Sequence, residues 1–412
     1  MSRGAARAAT CTGVVGGRWR ATVTSWGAVE PWDGSGAIDW FVAADDRWHR
    51  PQHETSTRQT LVDGTPVVET KVRIPSGDVV QRVYSVADGG GLTLIGVTNE
   101  SPLPIAVAFT GGGLLSRRSP TSMPPQGIEL PADAVMFPIG HMSTVVVGRA
   151  HGGVASLPEV LPSADQVAHG WLAQTQRASR LRLPDAAMVA AVTAARCELL
   201  LNGPAGGIYG ETSVDIDPAA FILGIAELVR MGDRASIWVP EIATQLERLA
   251  RAGAQIGFAV VDAAARVLHA AGEHRALGDL RRMKLAVEGN RADRSARQIP
   301  SDPAVVPSWV EGRLVTSDEH SAQLMPNSFP DGWLGNDFEA HGLAIGLAST
   351  LSFAIRWHGE RPAVLWEVSG PPMPLTYCDW STGELAGEAL WPPVTSGASP
   401  DPTVDTVDTS FS

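Results

Sequence analysis

Cysteine is scarce in this 412-residue chain, and so are lysine and charge in general. Cys11, Cys197 and Cys378 are far apart and odd in number, and no C-x-x-C pair or Cys/His cluster occurs. That excludes a disulfide framework and a structural zinc site; no metal is expected, and a reducing cytoplasm fits best. No window approaches a run of about 18 apolar residues, which excludes a transmembrane helix, so no membrane partner is expected. The stretch from Met1 to Gly17 lacks the apolar core of a signal peptide. Charged residues make up 18% of the chain, against about 25% in an average globular protein. With 44% hydrophobic residues, a mainly disordered or coiled-coil protein is excluded. Acidic residues outnumber basic ones 44 to 32, a net charge of −12 without a long basic run, so nucleic acid is not an expected partner. Only Lys71 and Lys284 are lysines, which reads as the codon bias of a GC-rich genome. There is also no G-x-S-x-G elbow, no G-x-x-x-x-G-K-[ST] phosphate loop, no H-E-x-x-H and no G-x-G-x-x-G. No cofactor is implied.

What is present changes character along the chain. Of the 13 tryptophans, five lie between Trp19 and Trp48, six between Trp309 and Trp391, and two, Trp171 and Trp238, in between. Residues 18–155 read as short strands separated by turns at Asp33-Gly34, Ser76-Gly77 and Gly89-Gly90-Gly91, with alternation at Thr70, Val72, Ile74 and at Val80, Arg82, Tyr84. That pattern predicts an antiparallel sandwich. From 162 to 290 the apolar period becomes 3.6, predicting helices over Ala186–Leu201, Pro218–Arg230, Val239–Arg251 and Asp262–Val287, in a domain of about five or six helices. Asp217 before Pro218 reads as an N-cap, and Gly232 and Gly253 as helix ends. Strands return at 351–359 and 362–370, joined as a hairpin by Glu360-Arg361, with a short strand near Glu388–Trp391. The expected organisation is a flexible N-terminus (1–17), a β-sandwich (18–158), a helical-hairpin domain (159–298), a C-terminal β-rich region (299–394) and a disordered tail (395–412). The fold class is α+β and multi-domain.

A β-sandwich, then helical hairpins, then a small sheet is an arrangement similar to that of six-hairpin (α/α toroid) glycosidases. D-G-S-G-A-I-D-W-F at 33–41 resembles the D-G-S-I-D-W-L segment near the start of glycoside hydrolase family 15 proteins, with two residues inserted, and 67–83 resembles the strand pair that follows there. W-L-G-N-D-F-E-A-H-G at 333–342 and the run at 351–367 resemble an uncharacterised actinobacterial group of this type. The likeness implies a carbohydrate ligand. Two departures stand beside it: a full toroid needs twelve helices, about twice what the helical stretch supplies, and the W-x-R-D motif that helps bind substrate in family 15 is missing.

Glycoside hydrolysis needs two carboxyl groups facing one another. The candidate catalytic residues are Glu211, in the Gly-rich loop 206–218, and Glu339, whose neighbours Phe338 and His341 suit a general acid with a raised pKa. Candidate substrate contacts are Asp215, Asp217, Trp40, Trp48, Trp333 and His341, with Trp26 and Trp32 offering further flat faces. The plainer reading of each is structural: Asp217 as a cap, Glu339 as a hydrogen-bonding partner, Glu367 as a solvent-facing strand residue, the tryptophans as core. His49 and His53, with Asp45 and Asp46, read as a polar loop. Two functions follow. One is a catalytically reduced or non-catalytic protein that binds sugar or a partner through its β-domains. The other is a hydrolase acting on a glucan or oligosaccharide. The oligomeric state is left open.

Overall fold

The computed structural model describes residues 10–121, 130, 133–204, 217–253, 255–283, 286–288, 298–330 and 332–394. The chain is mixed α+β, with several antiparallel sheets and, among the described residues, seven α-helices. It divides into two compact units. The first takes in Met1–Ala178, Ala190–Gly289 and Gln298–Trp309; the second takes in Ser179–Val189, Asn290–Arg297 and Val310–Ser412.

In the first unit, a six-stranded sheet has the order Leu115–Ser116, Thr144–Ala150, Leu92–Asn99, Gly77–Val86, Val68–Ile74, Arg58–Leu61. Every neighbouring pair is antiparallel, and Ser76-Gly77 supplies the tight turn that sets Val72 opposite Val79. A four-stranded sheet contains Val135–Ile139, Ile105–Phe109, Trp40–Ala43 and Trp48–His49, and a three-stranded one contains Thr10–Gly13, Arg20–Val23 and Val29–Pro31. The alternating β-branched residues predicted from the sequence put their buried faces into one shared core, which includes Trp40, Phe109, Phe137, Ile95 and Val147.

Among the described residues, six α-helices follow between 164 and 282: α1 (Ala164–Thr175), α2 (Ala186–Asn202), α3 (Pro218–Arg230), α4 (Val239–Ala252), α5 (Phe258–Ala270) and α6 (His274–Arg282). The α1 helix begins with a reciprocal capping box: Ser163 Oγ accepts from the Gln166 N–H at 3.2 Å, and Gln166 Oε1 accepts from the Ser163 N–H at 2.8 Å. At α3, Asp217 caps the helix and Pro218 opens it, as read from the sequence. The single helix expected over Asp262–Val287 is a correction. It is α5 and α6, parted at Gly272, whose φ of +75° leaves the helical region, followed by a strand at Ala286–Glu288. That strand pairs in parallel with Gln255–Gly257.

In the second unit, a five-stranded antiparallel sheet has the order Arg180–Arg182, Phe338–Ile345, Ser349–His358, Arg361–Ser369, Ala386–Leu390. The expected hairpin is there, with His358 opposite Arg361, and so is the short strand near Glu388. Strand Arg180–Arg182 falls in a stretch expected to be helical, because three residues are too few to show a period of two. A seventh helix, α7 (Val306–Leu314), precedes this sheet. The buried face of the sheet carries Phe338, Phe353 and Trp366, and the aromatic cluster continues through Phe329, Tyr377 and Trp391. Tyr377 and Trp391 stack at 3.8 Å, and burial pushes the Tyr377 phenol up to about 12. Packing therefore accounts for much of the C-terminal tryptophan crowding.

Candidate functional site

Glu211 and Asp215 lie outside the described residues. The other residues singled out from the sequence are dispersed. Asp217 gives both carboxylate oxygens to the start of α3, accepting from the N–H groups of Ala219 at 3.1 Å and Ala220 at 3.3 Å. Trp40 is 1% exposed and donates its indole N–H to the Trp26 carbonyl at 2.8 Å. Trp333 is 4% exposed and packs edge-on against Phe338 at 5.1 Å. Both indoles are packed inside the protein. Trp48 is half-buried in an edge strand. His49 is held between Asp46 (2.9 Å) and Glu54 (3.3 Å), in keeping with a polar loop.

Glu339 and His341 do come together, on the outward face of the five-stranded sheet. Glu339 lies 3.2 Å from Arg356, 3.1 Å from Arg182 and 3.6 Å from His341. Burial raises its carboxyl, but the Arg356 hydrogen bond, His341 and the charge of Arg182 outweigh this and hold it below the usual carboxylate range. The expected raised pKa is therefore corrected. Phe338 points to the opposite face of the strand and cannot desolvate its neighbour. Glu367 is opposite Ser352 while Glu339 is opposite Ala354, two strands and two residues apart, roughly 12 Å between Cα atoms. These two are not a facing pair.

The segment that resembles family 15 is built as a turn and a core strand. Asp33 Oδ1 accepts from the Ser35 N–H (2.9 Å) and the Ser35 hydroxyl (2.5 Å), Asp39 accepts from the Trp26 indole at 3.3 Å, and Trp40 enters the core. Its neighbour Trp32 differs. That indole is 37% exposed, and its N–H donates to Thr22 Oγ1 at 2.7 Å, which fixes the ring's orientation. Trp32 borders a cavity of about 390 Å³, also lined by Thr10, Cys11, Thr22, Glu198 and Asn202. The last two come from α2, four residues apart on one helix face, and Asn202 Nδ2 donates to Glu198 Oε1 at 2.5 Å. Gly64 also lines the cavity: at φ +74°, a Cβ there would sit 2.7 Å from the Ala190 carbonyl. Burial pushes the Cys11 thiol up to about 12, with Glu198 adding to the effect, so this sulfur is a packed neutral group and not a nucleophile. Trp32 was among the tryptophans the sequence singled out; Glu198 and Asn202 were not. Their only signal is a polar i, i+4 pair on a mostly apolar helix.

A second polar cluster lies in the same unit. His151 stacks on Trp19 (4.3 Å, 7° between planes), and its Nε2 lies 2.8 Å from Thr93 Oγ1. Thr93 in turn meets Ser85, and Ser85 meets Thr12. The hydroxyls are buried, so no substrate can reach them. Burial holds His151 below the ordinary imidazole value; Asp33, 3.8 Å away, opposes this and Arg149 reinforces it. The folded state therefore keeps His151 neutral, while the unfolded chain protonates it near pH 6.5. Stability is expected to fall as pH drops through about 6.5 toward the lower folded value. Urea midpoints between pH 7 and pH 5 check this: the slope flattens in His151→Gln, and an unchanged slope contradicts it. Among the described residues, no group of three His, Cys, Asp or Glu side chains is arranged to hold a metal.

No family model matches the sequence, and no curated protein does. A solved structure described as "Putative kojibiose phosphorylase from human microbiome" is similar over 90% of this chain and 89% of its own, at 6% identity and a TM-score of 0.39. At that level the likeness carries no argument.

Proposed function

We propose that this chain is a non-catalytic, or catalytically reduced, carbohydrate-binding protein, and that a sugar ring lies against Trp32. The observation that carries this reading is the composition of the Trp32 cavity. An exposed, orientation-locked indole supplies an apolar face, while Thr10, Thr22, Asn202 and Glu198 supply the hydroxyl, amide and carboxylate groups that sugar hydroxyls bond. A volume of about 390 Å³ is within the range of small-ligand sites. Hydrolysis needs two carboxyl groups, and this cavity is lined by one, already bonded to Asn202. The class of ligand is suggested by the family 15 resemblance of residues 33–41, which begin immediately after Trp32.

Calorimetric titration with a series of gluco-oligosaccharides tests the reading, alongside an assay for released reducing sugar. The wild-type chain is expected to bind without appreciable turnover, and Trp32→Ala to bind at least about tenfold more weakly, the effect of removing one well-buried aromatic contact. No binding by the wild type, or equal binding by the variant, contradicts it. Turnover that disappears in Glu211→Gln or Glu339→Gln would establish the hydrolase instead.

A further inference from the structure

A larger hollow, of about 590 Å³, lies on the outer face of the six-stranded sheet. Its position follows from how that face is covered. Helix α1 and the segment leading into it pack over Tyr84, Leu92 and Leu94, burying Leu157, Ala164 and Ala168. Past this cluster the floor of the hollow is Gly96, Thr98 and Thr144, from the adjacent strands Leu92–Asn99 and Thr144–Ala150. Gly96 leaves the floor bare: a Cβ there would have no neighbour closer than 3.9 Å. Thr98 Oγ1 and Thr144 Oγ1 are 2.8 Å apart and open to solvent. That pair uses one hydroxyl donor and one lone pair, so a donor and several lone pairs remain for a ligand.

The rim carries charge of two kinds. Arg82 is fixed by Glu69 at 2.8 Å and Asp165 at 3.1 Å. Arg117 and Arg118, which leave the end of strand Leu115–Ser116, are exposed. Among the described residues, neither guanidinium has an ion-pair or hydrogen-bond partner, although acidic residues outnumber basic ones 44 to 32 in the chain. Arg117 and Arg118 both line the hollow, and each guanidinium presents a planar fork of donors suited to a phosphate or carboxylate. Glu159 also lines the hollow, where it repels a second negative group and accepts from hydroxyls.

We propose that this hollow is a second binding site, for a sugar carrying one anionic group, with the anion on Arg117 and Arg118 and the sugar hydroxyls on Thr98 and Thr144. A phosphate and a carboxylate share the required chemistry. The site is separate from the Trp32 cavity and shares none of its lining residues.

The full chain is titrated with a hexose 6-phosphate, the uronic acid of the same hexose, the neutral hexose, and inorganic phosphate. At least one anionic sugar is expected to bind about tenfold or more tightly than the neutral hexose and than phosphate alone, and the tighter of the two identifies the anion. Removing both guanidiniums, Arg117→Ala with Arg118→Ala, is expected to weaken that ligand about tenfold to hundredfold, the loss of one or two charge-assisted bonds. Thr144→Val weakens it severalfold, and Trp32→Ala leaves it unchanged. The proposal is overturned if neither anionic sugar binds, if the double variant binds as the wild type does, or if phosphate alone matches the sugar phosphate. It is also overturned if Trp32→Ala abolishes binding of the anionic sugar. If Trp32→Ala leaves neutral-sugar binding intact while the arginine variant loses the anionic sugar, the Trp32 reading fails and this one stands.

Discussion

Replacing Glu227 with alanine is expected to destabilise the first unit by about 3–5 kcal/mol, the effect of removing one member of a buried ion pair. Glu227 is 5% exposed on α3 and takes Arg196 Nε of α2 at 2.6 Å on one oxygen and Arg230 Nη1 at 2.8 Å on the other. Arg230 also donates to the Ala178 carbonyl at 2.9 Å, so the carboxylate ties α2, α3 and the end of the α1 connection together. Alanine takes from the guanidinium of Arg196, itself almost wholly buried, the carboxylate that it meets at 2.6 Å. Burial raises the Glu227 carboxyl, yet Arg230 and Arg196 outweigh it and hold the group below the ordinary carboxylate value. The sign follows: this contribution is complete above the unfolded value of roughly 4.3 and is lost as pH falls below it toward the folded one. Urea denaturation at pH 7 checks the size. A loss under about 1 kcal/mol would mean that desolvation cancels the attraction, as it does in some buried pairs.

Trp40→Ala is expected to cost a similar amount, about 3–5 kcal/mol, through transfer and cavity terms together. Trp40 is buried in the core shared by the N-terminal sheets, and its N–H bonds the Trp26 carbonyl, so truncation empties an indole's volume and removes that carbonyl's indole donor. Trp32→Ala, eight residues earlier, removes a partly exposed ring and is expected to change stability by no more than about 0.5 kcal/mol. The pair separates two roles that composition alone leaves mixed. Trp40→Ala should lower the thermal midpoint, and Trp32→Ala should leave it in place while ligand affinity falls. A thermally silent Trp40→Ala contradicts its core assignment.

Local chemistry explains which parts of the architecture were legible. Thr70, Val72 and Ile74 alternate because one face of their strand is buried, and that face is visible residue by residue. The Asp217-Pro218 cap and the hairpin over 351–370 are equally local, each set by residues a few positions apart. The strand Arg180–Arg182 was not legible, because its pairing with Phe338–Ile345 is made across more than 150 residues and its own three residues carry no period. The site followed the same division. Trp32 was visible as an aromatic near the D-G-S-G turn, but its exposure depends on Thr22 and α2, and nothing in the local sequence separates it from the buried Trp40. Glu339 shows the reverse error: Phe338 and His341 suggested a desolvated acid, whereas strand alternation turns Phe338 away and the paired strands bring Arg182 and Arg356 alongside.

The central claim is that a sugar ring lies on the Trp32 indole, and the most direct measurement is the ¹⁵N-indole spectrum of the full chain during titration with a gluco-oligosaccharide. The 13 tryptophans give one signal each, and Trp32→Phe assigns the one that matters. The account predicts that the Trp32 resonance shifts in a saturable manner while those of the core indoles Trp40, Trp333 and Trp391 stay in place. A spectrum unchanged at saturating sugar, or one in which other indoles move and Trp32 does not, would contradict it.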